Sequence, residues 1–209
     1  MADSTDSDSS SNQLVVLIHG LASSRWLMHP LRFRLKQRGF QVRTYSYFTF
    51  GGNIDAMAHR FSNTLAEWAV ASGANQVHIV AHSMGAIVTR RLLLEPIAFP
   101  LGKVVMLAPP HHGSHVATRL SKPLSAICPA LHRLADTPGS YVRQLGIPQG
   151  HDIGVIAADG DLVVRKQSTR LGTERDFYSL PGMHTGVLFR NETAVLVERF
   201  LRTGKFAAE

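Results

Sequence analysis

The chain has 209 residues, 44% hydrophobic and 18% charged, which suits one globular domain with a sizeable core and excludes a composition too polar to fold. Its single cysteine, Cys128, excludes an internal disulfide framework and is compatible with a reducing compartment. The net charge of +7 and pI near 10.1 come from scattered Lys and Arg without a basic block or nucleic-acid motif, so they read as a solvated surface, with weak contact to anionic lipid as an extra and no nucleic-acid partner.

Residues 1–12 are rich in Ser and Asp and are expected to form a disordered tail, with residues 13–209 as a single domain. The acidic start lacks the basic and apolar regions of a secretory signal, and no apolar stretch approaches membrane-spanning length, so a cytoplasmic location is the expectation. Leu14 to Ile18 is an unbroken apolar run, the pattern of a strand buried on both faces, and His19-Gly20-Leu21-Ala22 turns after it. Leu27, Leu31 and Leu35 recur at helical spacing over residues 28–38, and Gly39 ends that helix. Gln41 to Tyr47 is the next strand, and Asn53 or Asp55 opens a helix with Ile54, Met57, Ala58, Phe61, Leu65 and Trp68 on one face.

Residues 77–81 form a strand, and a helix runs from Met84 to Leu94. Further strands are read at Lys103 to Ala108, Gly154 to Ala157 and Asp176 to Leu180, with a last helix at Glu192 to Arg202. Residues 115–150 carry Val116, Leu120, Leu124, Ile127, Leu131 and Leu134, read as one or two amphipathic helices. They form ordinary packed helices in preference to a short cap or lid. Strands alternate with helices and are too far apart for hairpins. That argues for an α/β architecture, a parallel sheet covered on both faces, with ligands at the C-terminal strand ends.

Ala81-His82-Ser83-Met84-Gly85 sits at such an end. A serine between small residues, straight after a buried strand and before a helix, is the pattern of a nucleophile elbow, although a helix N-cap serine is the competing reading. The elbow requires an acid and then a histidine downstream, each just after a late strand. Asp159 and Asp161 follow one such strand, with Asp152 the weaker choice because it precedes it. His184 follows the last strand, and His151 is its rival. His111, His112 and His115 are taken for surface or pocket-rim histidines rather than zinc ligands, since they lack the spacing that puts two ligands on one helix face. Trp26, Leu27 and Met28 either line a pocket or join the core.

With these motifs in order, the chain resembles the α/β-hydrolase superfamily, in particular its small bacterial lipase and lipase-like serine esterase branch. The matching residues are Val-Leu-Ile-His19-Gly20, Ala81 to Gly85, Leu107-Ala-Pro-Pro-His-His-Gly113-Ser114, Asp161-Leu-Val-Val164 and His184-Thr-Gly-Val-Leu, spread over residues 14–201. The resemblance implies a minimal hydrolase fold without the two opening antiparallel strands. It also implies Ser83 as nucleophile, His184 as base and Asp161 as acid, preferred to Asp159 on the Asp-Leu-Val-Val pattern. The N–H groups of Leu21 and Met84 would form the oxyanion hole, with His82 and His19 supporting the turns. The implied activity is cleavage of small ester or lipid substrates through an acyl-enzyme, without metal or organic cofactor. Thioester hydrolysis, acyl transfer and a catalytically silent binding module are the alternatives.

Overall fold

The computed structural model describes residues 12–207. The expected tail therefore lies outside the described residues except for Asn12, whose carbonyl accepts the Asn75 N–H at 2.9 Å. Six strands, β1 (Gln13–Ile18), β2 (Gln41–Tyr45), β3 (Gln76–His82), β4 (Leu101–Leu107), β5 (Ile153–Ala158) and β6 (Asp176–Leu180), form one sheet in the order β2-β1-β3-β4-β5-β6. Every pairing is parallel, so each connection must cross over a face of the sheet. Among the described residues the sheet holds no antiparallel strand, as expected for the minimal fold.

The helices are α1 (His29–Gln37), α2 (Ile54–Ser72), α3 (Met84–Leu92), α4 (His115–Ser121), α5 (Ala130–Arg133), α6 (Tyr141–Gln144) and α7 (Asn191–Thr203). Two-sided burial explains the apolar run of β1. Leu14, Val16 and Ile18 pack toward α2 and α3 in one core, and Val15 and Leu17 toward α1 and α7 in the other. Asn53 caps α2, its Oδ1 accepting the Ala56 N–H at 3.0 Å, which settles the choice between Asn53 and Asp55.

Two local readings need correction. The strand expected to reach Tyr47 ends at Tyr45, since the chain turns there to bring Tyr47 and Thr49 under the loop after β1. Residues 115–150 hold three short helices instead of one or two longer ones, because Pro123, Pro129 and Pro138 interrupt the periodicity. No helix among the described residues is long and apolar enough to cross a membrane.

The chain leaves β1 to form β2 on one side and β3 on the other. The C-terminal ends of β1 and β3 thus flank the switch point of the sheet, where a crevice opens. The turn at Gly20 and the turn at Ser83 both lie there.

Candidate active site

The turn after β3 is strained. Ser83 has φ 54° and ψ −122°, a conformation that costs a non-glycine residue about 1–3 kcal/mol. Its N–H donates to Leu107 O and its carbonyl accepts from Ala86 N–H, both at 2.9 Å. Close packing explains the small neighbours. A Cβ at Gly85 would lie 2.6 Å from the His19 carbonyl oxygen and 2.8 Å from that of Ile18, and one at Gly20 would lie 2.8 Å from the Ser83 Cβ. Only glycine lets α3 start this close to the end of β1.

Ser83 Oγ lies 2.9 Å from His184 Nε2, and His184 Nδ1 lies 2.7 Å from Asp161 Oδ2. Asp161 is nearly buried, with 2% of its side chain exposed, and burial pushes its carboxyl up. The His184 hydrogen bond and charge, with the N–H groups of Val164 and Val163, outweigh that and hold it below the usual carboxylate range. An ionised carboxylate only accepts, so His184 Nδ1 must carry the proton and donate it. That leaves the Nε2 lone pair for the Ser83 hydroxyl.

Asp159 takes no part in this chain. Its carboxylate binds Lys166 Nζ at 2.7 Å and the Ser179 hydroxyl, and Lys166 first, then Ser179, lowers its pKa. Asp152 pairs with Arg175 at 2.7 Å, and His151 bonds the Leu93 carbonyl at 3.2 Å. His82 is buried behind His184, its Nε2–H donating to the His184 carbonyl at 3.1 Å. Burial and then the neighbouring His184 push its pKa down to about 3, so it stays neutral. His19 is buried as well, and burial lowers its pKa.

The reading of His111 as a surface or rim residue is overturned. The turn at 110–113 tucks it inside, 1% exposed, with its carbonyl accepting from Arg90 at 2.9 Å. Burial, then the Arg90 charge, drives its pKa well down. Among the described residues no group of three or more His, Cys, Asp or Glu could hold a metal ion.

Several positioning residues had no signal in the sequence. Tyr47 donates to His19 O at 2.9 Å and stacks on its ring at 4.8 Å, and Thr49 Oγ1 accepts the Ala22 N–H at 3.2 Å. Together they hold the loop after β1, where Ala22 also takes a positive φ of 50°. Buried Arg90 fastens the 111–146 region by donating to the carbonyls of His111, Gly146 and Leu145. Ser114 accepts the Ala117 N–H and donates to Val163 O at 2.7 Å, tying the start of α4 to the Asp161 loop.

Two clefts meet at Ser83, Leu21, Ala22 and His184. One, of about 330 Å³, is walled by Val116, Ala117, Leu120, Leu124, Leu131 and Leu134, and so is almost wholly apolar. The other, of about 620 Å³, runs past Ser23, Trp26, Leu27, His29 and Phe189 and is more polar. Of the three residues left between pocket and core, Trp26 and Leu27 therefore line a cleft and Met28 is core.

A parallel sheet with crossover helices on both faces, and a serine on a strained strand-to-helix turn at its switch point, are the features of an α/β hydrolase. The profile of the Alpha/beta hydrolase family matches residues 15–199, and the chain belongs to that family. Among solved structures it is similar to the mature form of the Bacillus licheniformis lipase BlEst2, at 15% identity and TM-score 0.72, covering 93% of this chain and 92% of that one. It is also similar to Aspergillus fumigatus lipase B, at 18% identity and TM-score 0.73, covering 91% of this chain and 52% of the other. The type II thioesterase BorB from the borrelidin biosynthetic cluster matches at 17% identity and TM-score 0.67, covering 92% of both chains. At these identities the likeness is one of fold. A search of curated proteins found no match.

Proposed function

We propose that the protein is a serine hydrolase that cleaves carboxylic esters through an acyl-enzyme on Ser83. The observation that carries this reading is the hydrogen-bonded chain from Ser83 through His184 to a buried, ionised Asp161, mounted on a strained turn between two clefts. Ser83 Oγ attacks the acyl carbonyl while His184 Nε2 takes its proton. Asp161 holds the tautomer and stabilises the imidazolium. The Met84 N–H, at the start of α3 where helix donors have no internal partner, and the Leu21 N–H receive the developing oxyanion. The imidazolium then protonates the leaving group, and a water activated by His184 releases the acid.

The apolar cleft takes the acyl chain. Its volume lies at the small end of ligand pockets, which run from about 300 to 1,000 Å³, and fits a short or medium chain. Part of its wall, Ala117, Cys128, Leu131 and Leu134, is buried in the main core, which supports a packed wall over a mobile lid. Residues 13–209 act as one domain in this reading. The lipase and thioesterase neighbours agree with acyl chemistry and leave the leaving group open between an alcohol and a thiol. The test is hydrolysis of p-nitrophenyl esters from acetyl to palmitoyl by wild type and Ser83→Ala. The reading expects activity peaking at short or medium chains and lost in the variant, and equal activity in the two proteins contradicts it.

A further inference from the structure

The more polar cleft does not end at Trp26. Trp26 and His29 also wall a further hollow of about 410 Å³, completed by Arg25, Arg32, Arg43, Thr44 and Trp68, so the two spaces adjoin. The hollow lies on β2, the edge strand of the sheet, two strands from Ser83. Two strand spacings amount to about 10 Å.

Three arginines line it, and none has an ion-pair partner among the described residues. The Arg25 guanidinium lies 5.2 Å from the centre of the Trp26 ring and that of Arg43 5.3 Å from Trp68, a cation–π contact in each case. The local chain does nothing to neutralise them. From Gln13 to Ile54 there are six Lys and Arg and no Asp or Glu. Like charges lining one hollow repel, and an anion with several acceptor oxygens relieves that repulsion. Among common anions, phosphate and carboxylate oxygens match the guanidinium fork best, and the roughly two negative charges of a phosphate monoester suit a hollow lined by several guanidinium groups better than the single charge of a carboxylate.

We propose that the leaving group of the substrate carries a phosphate, bound by Arg25, Arg32 and Arg43 while the ester or thioester carbonyl lies at Ser83. This rests on the acyl-enzyme reading above. The acyl C–O or C–S bond breaks as the Oγ–C bond forms, the alcohol or thiol takes its proton from His184, and the phosphate itself is unchanged. The preferred substrates are acyl esters or thioesters of a phosphorylated alcohol or thiol.

The test compares substrates that differ by the phosphate alone: octanoyl-phosphopantetheine against octanoyl-pantetheine, and octanoyl-glycerol phosphate against octanoylglycerol. The expected result is a kcat/KM ratio of about tenfold or more in favour of the phosphate in at least one pair, falling toward one in Arg25→Gln/Arg43→Gln. The pair that responds identifies the leaving group as thiol or alcohol. The exposed Arg25→Gln alone gives a partial fall and keeps the test available if the double variant does not fold. Ratios near one for wild type, with Ser83-dependent cleavage intact, overturn the phosphate site and leave the hydrolase reading standing, as does a ratio unmoved by the variants. Absence of Ser83-dependent cleavage of any substrate, p-nitrophenyl esters included, refutes both.

Discussion

Replacing Asp161 with Asn separates the acid's charge from its shape, and the structure dictates which way the amide faces. Asp161 Oδ1 accepts the N–H groups of Val163 at 2.7 Å and Val164 at 2.9 Å, while Oδ2 faces His184. In Asp161→Asn the amide oxygen must keep the two N–H donors, because turning the NH₂ toward them leaves both buried and unpaired at a cost of about 2–6 kcal/mol. The NH₂ therefore donates to His184 Nδ1, which forces the proton onto Nε2, and the imidazole can no longer accept from Ser83. The fold keeps its turn at 161–164, so thermal stability should change little while kcat/KM falls by about 10³–10⁴, or about 4–5.5 kcal/mol. The assay is steady-state ester hydrolysis, with circular dichroism melting as the fold control and Asp159→Asn as comparator. Asp159, paired with Lys166 on the surface, should retain activity within a few fold. An Asp161→Asn enzyme within about tenfold of wild type, or a larger loss in Asp159→Asn, refutes the assignment.

Gly85→Ala drives a Cβ into the carbonyl oxygens of His19 and Ile18, backbone atoms that cannot step aside, so urea unfolding should show a loss of about 2–3 kcal/mol or more. Gly139→Ala, which meets nothing within 4 Å, should be close to neutral in the same assay. Buried, neutral His78 and His82 have pKa values pushed down to about 4 and about 3, chiefly by burial, so below pH 6.5 the unfolded chain takes up protons that the folded one refuses. Unfolding free energy should thus fall between pH 6.5 and 4 by about 1.4 kcal/mol per pH unit for each such imidazole, and a flat urea profile over that range would rule this out. Ala117→Phe fills part of the apolar cleft, and should lower kcat/KM for octanoyl relative to acetyl esters by about thirtyfold, the equivalent of two or three buried methylenes. An unchanged octanoyl-to-acetyl ratio would mean the acyl chain lies elsewhere.

Much of this molecule is written locally in its sequence, and what is missing is long-range. The strands are legible because two-sided burial makes them continuous apolar runs, as at Leu14 to Ile18. Ser83, Asp161 and His184 stand out because each follows a strand in the order such a sheet needs, and the structure brings them within hydrogen-bond distance of one another. Asp159 and Asp161 are two residues apart and could not be separated by pattern without the resemblance. What separates them is that Lys166 and Ser179 engage one, while backbone N–H groups and His184 engage the other. Tyr47, Thr49 and Arg90 were invisible because their partners lie 21 to 56 residues away and are set by how the crossovers pack. His111 misled for the same reason. A polar Pro-His-His-Gly turn reads as surface until Arg90, from α3, binds its backbone and holds it inside.

A fluorophosphonate probe reads out whether Ser83 is an activated nucleophile. Purified protein would be labelled beside Ser83→Ala and His184→Ala, and the adduct located by peptide mass spectrometry. One adduct is expected, on Ser83, absent from Ser83→Ala and strongly slowed in His184→Ala, where no base takes the proton. No adduct on the folded wild-type protein, or an adduct on another residue, would contradict it.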